Sequence, residues 1–85
     1  MAVGRQKMSE SIDDLKKAAK IFHKVGRKYE LAKVLMILSR MLWSLKRENE
    51  AKQRLDEAER IFREMDAKRD LEKLSELKKK MNSLS

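Results

Sequence analysis

Apolar residues recur three or four positions apart along most of the chain, which is the spacing of one face of an α-helix. The pattern is interrupted near Gly26, between Lys46 and Asn49, and at Asp66 and Ala67. It therefore predicts four helices, at about residues 10–25, 28–46, 49–65 and 68–83. Connections this short make successive helices antiparallel. We expect an all-α fold of four antiparallel helices.

The beginning of the chain differs from the rest. Residues 1–8 lack the periodic pattern and predict a flexible N-terminal arm, which leaves residues 9–85 as a single helical domain. Gly26 follows Val25, the last residue on the apolar face of the first predicted helix, where a residue in the left-handed conformation often ends a helix. Gly26 is therefore predicted to terminate that helix.

The second predicted helix is apolar on nearly every side, because Met36, Ile37 and Trp43 lie outside its main stripe of leucines. Such a helix is normally buried on several sides, so we expect it in the middle of the fold. The fourth predicted helix has a single apolar stripe and is otherwise charged, as in a terminal capping helix. The residues expected to be buried together are Leu35, Leu38, Leu42, Leu55, Ala58 and Phe62.

The chain contains an internal repeat with a period of 40 residues. This shift superimposes the first predicted helix on the third, and the second on the fourth. It aligns Leu15, Ala18, Ile21 and Phe22 with Leu55, Ala58, Ile61 and Phe62. Two amphipathic helices share a period by chance, but chance rarely preserves both a string of identities and the length of the connection.

One segment resembles a tetratricopeptide repeat (TPR). Its pattern is Leu35-x2-Leu38-Ser39-x2-Leu42 followed by Ala51-x3-Leu55-x2-Ala58. In that family, small residues at such positions let paired helices approach closely. Leucines occupy positions where aromatic residues are commoner, and the closing proline is absent. The period of 40 exceeds the usual repeat of about 34 residues, as in the longer variants of the family.

The TPR resemblance implies an α-solenoid fragment, that is, a stack of helix-turn-helix units that acts as a binding scaffold without catalytic chemistry. In the family, the first helix of each repeat lines a groove. The matching positions here are Lys33, Met36, Arg40 and Trp43 on the second predicted helix, with Lys73, Glu76 and Lys80 on the fourth. All of these except Glu76 are the predicted partner-binding residues. The implied partner is a protein or peptide that carries carboxylates and an apolar anchor.

A different interpretation of these six residues remains open. Met36 and Trp43 are equally compatible with the core of a fold that encloses the second helix, since Trp is usually well buried. The four basic residues are equally compatible with an ordinary solvated surface. The sequence does not decide between a binding face and these alternatives.

Composition excludes several classes of protein. The chain has no Pro, two Gly and no Cys, which argues against a β-rich fold and excludes disulfides, thiolate metal sites and cysteine nucleophiles. His23 is the single histidine, and no Gly-rich loop could hold a phosphate. No apolar run approaches the roughly 20 residues of a membrane span. We expect a cytoplasmic protein that is no enzyme and has no cofactor, metal site or membrane association.

Two alternative functions follow from the net charge and from the small number of repeats. Lys and Arg number 22 against 14 Asp and Glu, a net charge of +8, which is compatible with nucleic-acid binding. The basic excess is spread along the chain, however, and one Trp offers little surface for stacking on bases. The other alternative is a structural unit that forms a homodimer, because fewer than three full repeats bury a limited core. The run Lys78-Lys79-Lys80 is compatible with favourable charge at a helix C-terminus.

Overall fold

A computed structural model of the protein describes the backbone of residues 2–84 and the side chains of residues 10–83. The described residues form four α-helices and no strand, which confirms the predicted all-α class. The helices are α1 (Ala2–Val25), α2 (Lys28–Ser44), α3 (Glu48–Glu64) and α4 (Lys68–Leu84). The ends of α2, α3 and α4 lie within two residues of the predicted bounds.

The start of α1 corrects one prediction. The helix begins at Ala2, although apolar periodicity predicted a start near residue 10 and an arm over residues 1–8. Met1 lies outside the described residues, as do the side chains of the other arm residues. Backbone hydrogen bonds continue a helix without any apolar stripe, so periodicity underestimated its length.

The three connections between the helices share one conformation. Each contains a residue with a positive φ angle, and these residues are spaced twenty apart: Gly26 (77°), Lys46 (62°) and Asp66 (54°). The next amide in each connection donates a hydrogen bond of 2.9 Å to a carbonyl five residues earlier. The pairs are Arg27 to Phe22, Arg47 to Leu42 and Ala67 to Phe62. This arrangement is the Schellman motif, and it confirms the predicted role of Gly26.

Each new helix starts directly after its turn. Arg27 and Arg47 precede α2 and α3 and make no side-chain cap hydrogen bond. Arg47 instead donates to both carboxylate oxygens of Glu50, at 2.7 and 2.9 Å, and this contact lowers the pKa of Glu50. A carboxylate in the first turn of a helix also complements the positive end of the helix dipole.

The helices pack as a chain of neighbours. α2 contacts both α1 and α3, and α4 packs mainly against α3. The buried side chains fall into two clusters. The larger cluster contains Leu31, Ala32, Leu35, Leu55, Ala58, Phe62, Leu74 and Met81. The smaller one contains Ile12, Leu38, Leu42 and Ala51. All six residues predicted as core are buried, but Leu38 and Leu42 belong to the smaller cluster.

Two apolar residues contradict the expected burial pattern. Val25 was predicted on the buried face of the first helix, yet it is 60 % exposed, as is its neighbour Ile21. Ile37, on the helix expected to be enclosed, is 47 % exposed. The physical reason is that no described helix packs on the outer side of α1 and α2, so the apolar positions on that side face solvent.

Replacing Phe62 with Ala tests the packing of the larger cluster. The Phe62 side chain is fully buried, so the variant leaves a cavity, and we expect a loss of about 3–5 kcal/mol in the free energy of unfolding. Chemical denaturation followed by circular dichroism measures the change. Met65→Ala is the control, because Met65 is 44 % exposed and should cost below about 1 kcal/mol. A similar loss for both variants would contradict the placement of Phe62.

The turns provide a second test. Lys46 and Asp66 adopt a conformation that costs a residue with a Cβ roughly 1–2 kcal/mol, so Lys46→Gly and Asp66→Gly should each stabilise the fold by about 1 kcal/mol. Gly26→Ala should destabilise it by a similar amount, about 1 kcal/mol. A Cβ at Gly26 would meet no atom within 4 Å, so this change measures backbone strain alone. In thermal melts we expect the two glycine variants to raise the melting temperature and Gly26→Ala to lower it. A change in the same direction for all three variants would contradict the shared turn geometry.

Candidate functional site

The six residues predicted as a binding site lie on α2 and α4. Met36 and Trp43 are half-buried and pack against the larger cluster, which includes residues of α4. Lys73 and Lys80 flank Leu77, a half-buried residue of α4 that packs against the same cluster. The four basic residues are exposed. The α2/α4 face is defined here by Lys33, Met36, Arg40, Trp43, Lys73 and Lys80.

Tyr29 links the two helices of this face, a contact that the sequence pattern did not predict. Its phenol lies beside the Asp70 carboxylate at the start of α4, and the hydrogen bond between them raises the pKa of Tyr29. Its ring meets Phe62 edge-on, with centroids 6.0 Å apart. The Lys33 ammonium lies 5.4 Å from the centre of the Tyr29 ring, in a cation–π contact. Lys33 is therefore positioned by an aromatic neighbour.

Trp43 lies between the two alternatives left open by the sequence. Its ring packs against both apolar clusters, which is typical of a core residue. Part of the side chain nevertheless reaches the surface. The Lys52 ammonium of α3 lies 5.9 Å from the ring centre and forms a second cation–π contact. A partner that covers Trp43 would meet a positively charged rim.

The basic residues of the α2/α4 face are electrostatically uncompensated. Lys33, Arg40, Lys73 and Lys80 take part in none of the ion pairs found among residues 10–83. Basic residues elsewhere, such as Arg63 and Lys78, do pair with carboxylates. The α2/α4 face can therefore attract carboxylates without first breaking an internal ion pair.

A second surface, the α1/α3 cleft, was not predicted. Two adjoining cavities of about 440 and 550 Å³ separate α1 from α3, with Leu31 in the wall of both. Lys16 of α1 and Lys28, the first residue of α2, reach Glu50 (4.0 Å) and Glu64 (3.8 Å) of α3 respectively. The basic line Lys16, Lys20 and His23 along α1 was the available sequence signal.

The α1/α3 cleft offers a ligand mainly charged walls. Its floor consists of Leu31, Leu35 and Leu38, of which at most 9 % is exposed. Little apolar surface therefore remains for a ligand to cover, and acidic and basic side chains alternate on the α3 wall. The α2/α4 face, with a half-buried Met36 and Trp43, is the better candidate for apolar recognition.

Lys78 joins α3 to α4, although the sequence suggested only a charge at a helix end. Its ammonium donates a hydrogen bond to Glu59 and lies 3.4 Å from the Asp56 carboxylate. The contact with Lys78 lowers the pKa of Glu59 and, reciprocally, raises that of Lys78. Glu59 also pairs with Arg63 at 3.0 Å. This network fixes the side of α4 that faces α3.

The described residues contain neither a cluster of metal ligands nor a helix suited to cross a membrane. Within residues 10–83, no three His, Asp or Glu side chains are grouped so that they could hold a metal ion. None of the described helices is both long and apolar enough to cross a membrane. His23 is exposed at the edge of the α1/α3 cleft.

Comparison of the chain with protein-family models, with curated proteins and with solved structures found no match. The TPR resemblance therefore stays a prediction.

The network around Lys78 makes a prediction about pH. Because the pKa of Glu59 is lowered, its pairing stabilises the fold above the unfolded value of about 4.3 and is lost as the pH falls through the lower folded value. Because the pKa of Lys78 is raised, its contribution is present below the unfolded value of about 10.4 and is lost as the pH rises through the higher folded value.

A double-mutant cycle with Glu59→Gln and Lys78→Met measures this coupling. We expect about 0.5–1 kcal/mol at pH 7, as for other partly exposed ion pairs, and no coupling near pH 2. The matched cycle uses Glu57→Gln and Lys79→Met, two exposed residues that form no pair with each other. Coupling that is unchanged between pH 7 and pH 2 would show that the two residues interact through packing rather than charge.

Proposed function

We propose that the protein is a non-enzymatic interaction module of TPR type that binds an acidic peptide on the α2/α4 face. The observation that carries this proposal is the placement of Met36 and Trp43, which lie half-buried in line along α2. Exposed Lys33 and Arg40 flank them and form no ion pair among the described residues. An apolar centre with a basic border suits a peptide that has an apolar anchor and nearby carboxylates.

The apolar centre must supply most of the affinity. Exposed ion pairs contribute about 0–1 kcal/mol each, so four lysine or arginine contacts alone give weak binding. Trp is among the residues that dominate binding energies when a partner covers them. Carboxylates then select the partner and speed its association, which makes the affinity dependent on salt.

The surface is largely formed before binding. α2 and α4 run parallel because each is antiparallel to α3, and Tyr29 and Asp70 connect them at their first turns. Met36 and Trp43 are already held against the larger cluster. A preformed surface loses little conformational entropy when the peptide docks, which favours binding of a flexible segment.

Trp43 is the only tryptophan of the chain, so its fluorescence reports on this face directly. The probe is a set of capped peptides with one Phe or Leu flanked by Glu, beside matched peptides in which Gln replaces Glu. We expect the acidic peptides to change the emission of Trp43 saturably, and their affinity to fall as salt rises. The absence of any saturable change with the acidic peptides would contradict the proposal.

Two arginines locate the site. Arg40→Glu should weaken peptide binding by about threefold to tenfold without changing the melting temperature, because Arg40 is exposed and unpaired. Arg60→Glu is the matched control, since Arg60 is also exposed but borders the α1/α3 cleft. If Arg60→Glu weakens binding and Arg40→Glu does not, the peptide binds in the α1/α3 cleft, and the assignment of the site to the α2/α4 face is wrong.

A further inference from the structure

We propose that the outer face of α1 and α2 is the interface of a homodimer in which two copies pack antiparallel about a two-fold axis. This outer face carries most of the exposed large apolar residues found among residues 10–83. Ile21 and Val25 of α1 are each 60 % exposed, and Ile37 of α2 is 47 % exposed. Large apolar side chains grouped in this way commonly mark an interaction surface.

The face is continuous across two helices. On α1, Ala18, Ile21 and Val25 follow the spacing of one helical stripe. On the adjacent flank of α2, Val34, Ile37 and Met41 do the same. Because α1 and α2 are antiparallel and packed together, these two rows lie side by side. They lie away from the α1/α3 cleft, which the opposite flank of α1 borders with Lys16 and His23.

The internal repeat shows that such a face is built to be covered by a helix. The 40-residue shift aligns Val34 and Met41 of α2 with Leu74 and Met81 of α4. Leu74 and Met81 are only 1 % and 4 % exposed, because they are buried in the larger cluster with residues of α2 and α3. No described helix takes the corresponding position beside α1 and α2. The face therefore has the side chains of a helix-packing surface without a helix upon it.

The outer side of α4, at the opposite end of the series of helices, determines which contact between two copies is possible. The outer side of α4 is charged and exposed, with Glu72, Glu76 and Lys79 among its residues. Packing this side against the apolar face of a second copy would bury charges without partners, which is costly. Head-to-tail stacking is therefore disfavoured, and a two-fold contact between identical apolar faces remains.

Charge complementarity selects the antiparallel orientation. The stripe of α1 that faces outward runs from Asp14 through Ala18 and Ile21 to Val25, and Lys24 lies next to Val25 at the margin of this stripe. When two copies of α1 pack antiparallel, Asp14 of each copy meets the Lys24 end of the other. Neither residue forms an ion pair among the described residues. A parallel arrangement would instead place Asp14 next to Asp14 and Lys24 next to Lys24.

The size of the face indicates a weak dimer. Two helices, each about 10 Å wide and in contact over the roughly 25 Å length of α2, present an area of about 500 Å² per copy. Stable complexes bury about 800 Å² per partner, so we expect monomers and dimers to exchange and the dimer fraction to rise with protein concentration.

Sedimentation equilibrium over a wide range of protein concentration tests this proposal. The unmodified chain should show a reversible monomer–dimer equilibrium, and Ile21→Glu should shift it to monomer. Met65→Glu is the matched control, because Met65 is a 44 % exposed apolar residue at the corresponding end of α3, outside this face. Ile21 is exposed, so its variant should keep the helical circular dichroism and melting behaviour of a folded monomer.

A charge exchange tests the orientation. Asp14→Lys and Lys24→Glu should each weaken the dimer, and the double variant should restore it, because each copy then again offers opposite charges to the other. A strictly monomeric chain overturns the proposal and leaves the face to a helix of another protein. A dimer that persists in Ile21→Glu, or that the double variant does not restore, also overturns it. The α2/α4 face borders this face at Arg40, next to Ile37 and Met41, but Ile21 lies on α1. Ile21→Glu should therefore leave peptide binding unchanged, and the two proposals fail separately.

Discussion

Close packing of α2 against α3 is the contact on which the rest of the structure depends. Ala32, Ser39, Ala51 and Ala58 have no exposed surface, and side chains this small let the helices approach closely. The buried Ser39 hydroxyl is satisfied by donating to the Met36 carbonyl at 2.7 Å. The larger leucines and Phe62 fill the space around this seam. α1 then packs on one side of the α2–α3 pair and α4 on the other, and neither outer helix has a second full neighbour.

The turns repeat with half the period of the helices. Helix pairs resemble each other at 40 residues, but the left-handed turn residue recurs every 20, at Gly26, Lys46 and Asp66. Only the first of these is a glycine, so the other two hold a strained conformation that packing on either side must offset. Tight, similar turns keep all four helices in one antiparallel series. They also make α2 and α4 parallel, which creates the α2/α4 face.

Charge separates the two surfaces proposed for binding. On the α2/α4 face, uncompensated basic residues surround Met36 and Trp43 and favour a partner of opposite charge. On the outer face of α1 and α2, Asp14 begins one stripe of α1 and Lys24 lies at the margin of its other end, which favours a second copy of the same chain. The two surfaces lie on different flanks of α2 and adjoin where Arg40 borders Ile37 and Met41, so a dimer would leave Met36 and Trp43 open to a peptide. Such an arrangement would give two peptide sites in one particle and increase the avidity for a repeated partner.

The sequence by itself determined the four helices apart from the start of α1, the turn at Gly26 and the six buried residues, because apolar spacing and backbone geometry are local properties. It also placed Lys33, Met36, Arg40 and Trp43 on one flank of a helix, since that follows from 3.6 residues per turn. Only the tertiary structure decided which flanks have neighbours. It exposed Val25 and Ile37, paired Lys78 with Glu59 and left Trp43 partly at the surface. Periodicity shows that a position is apolar, but burial depends on whether another helix packs there, and that depends on residues far away in the chain.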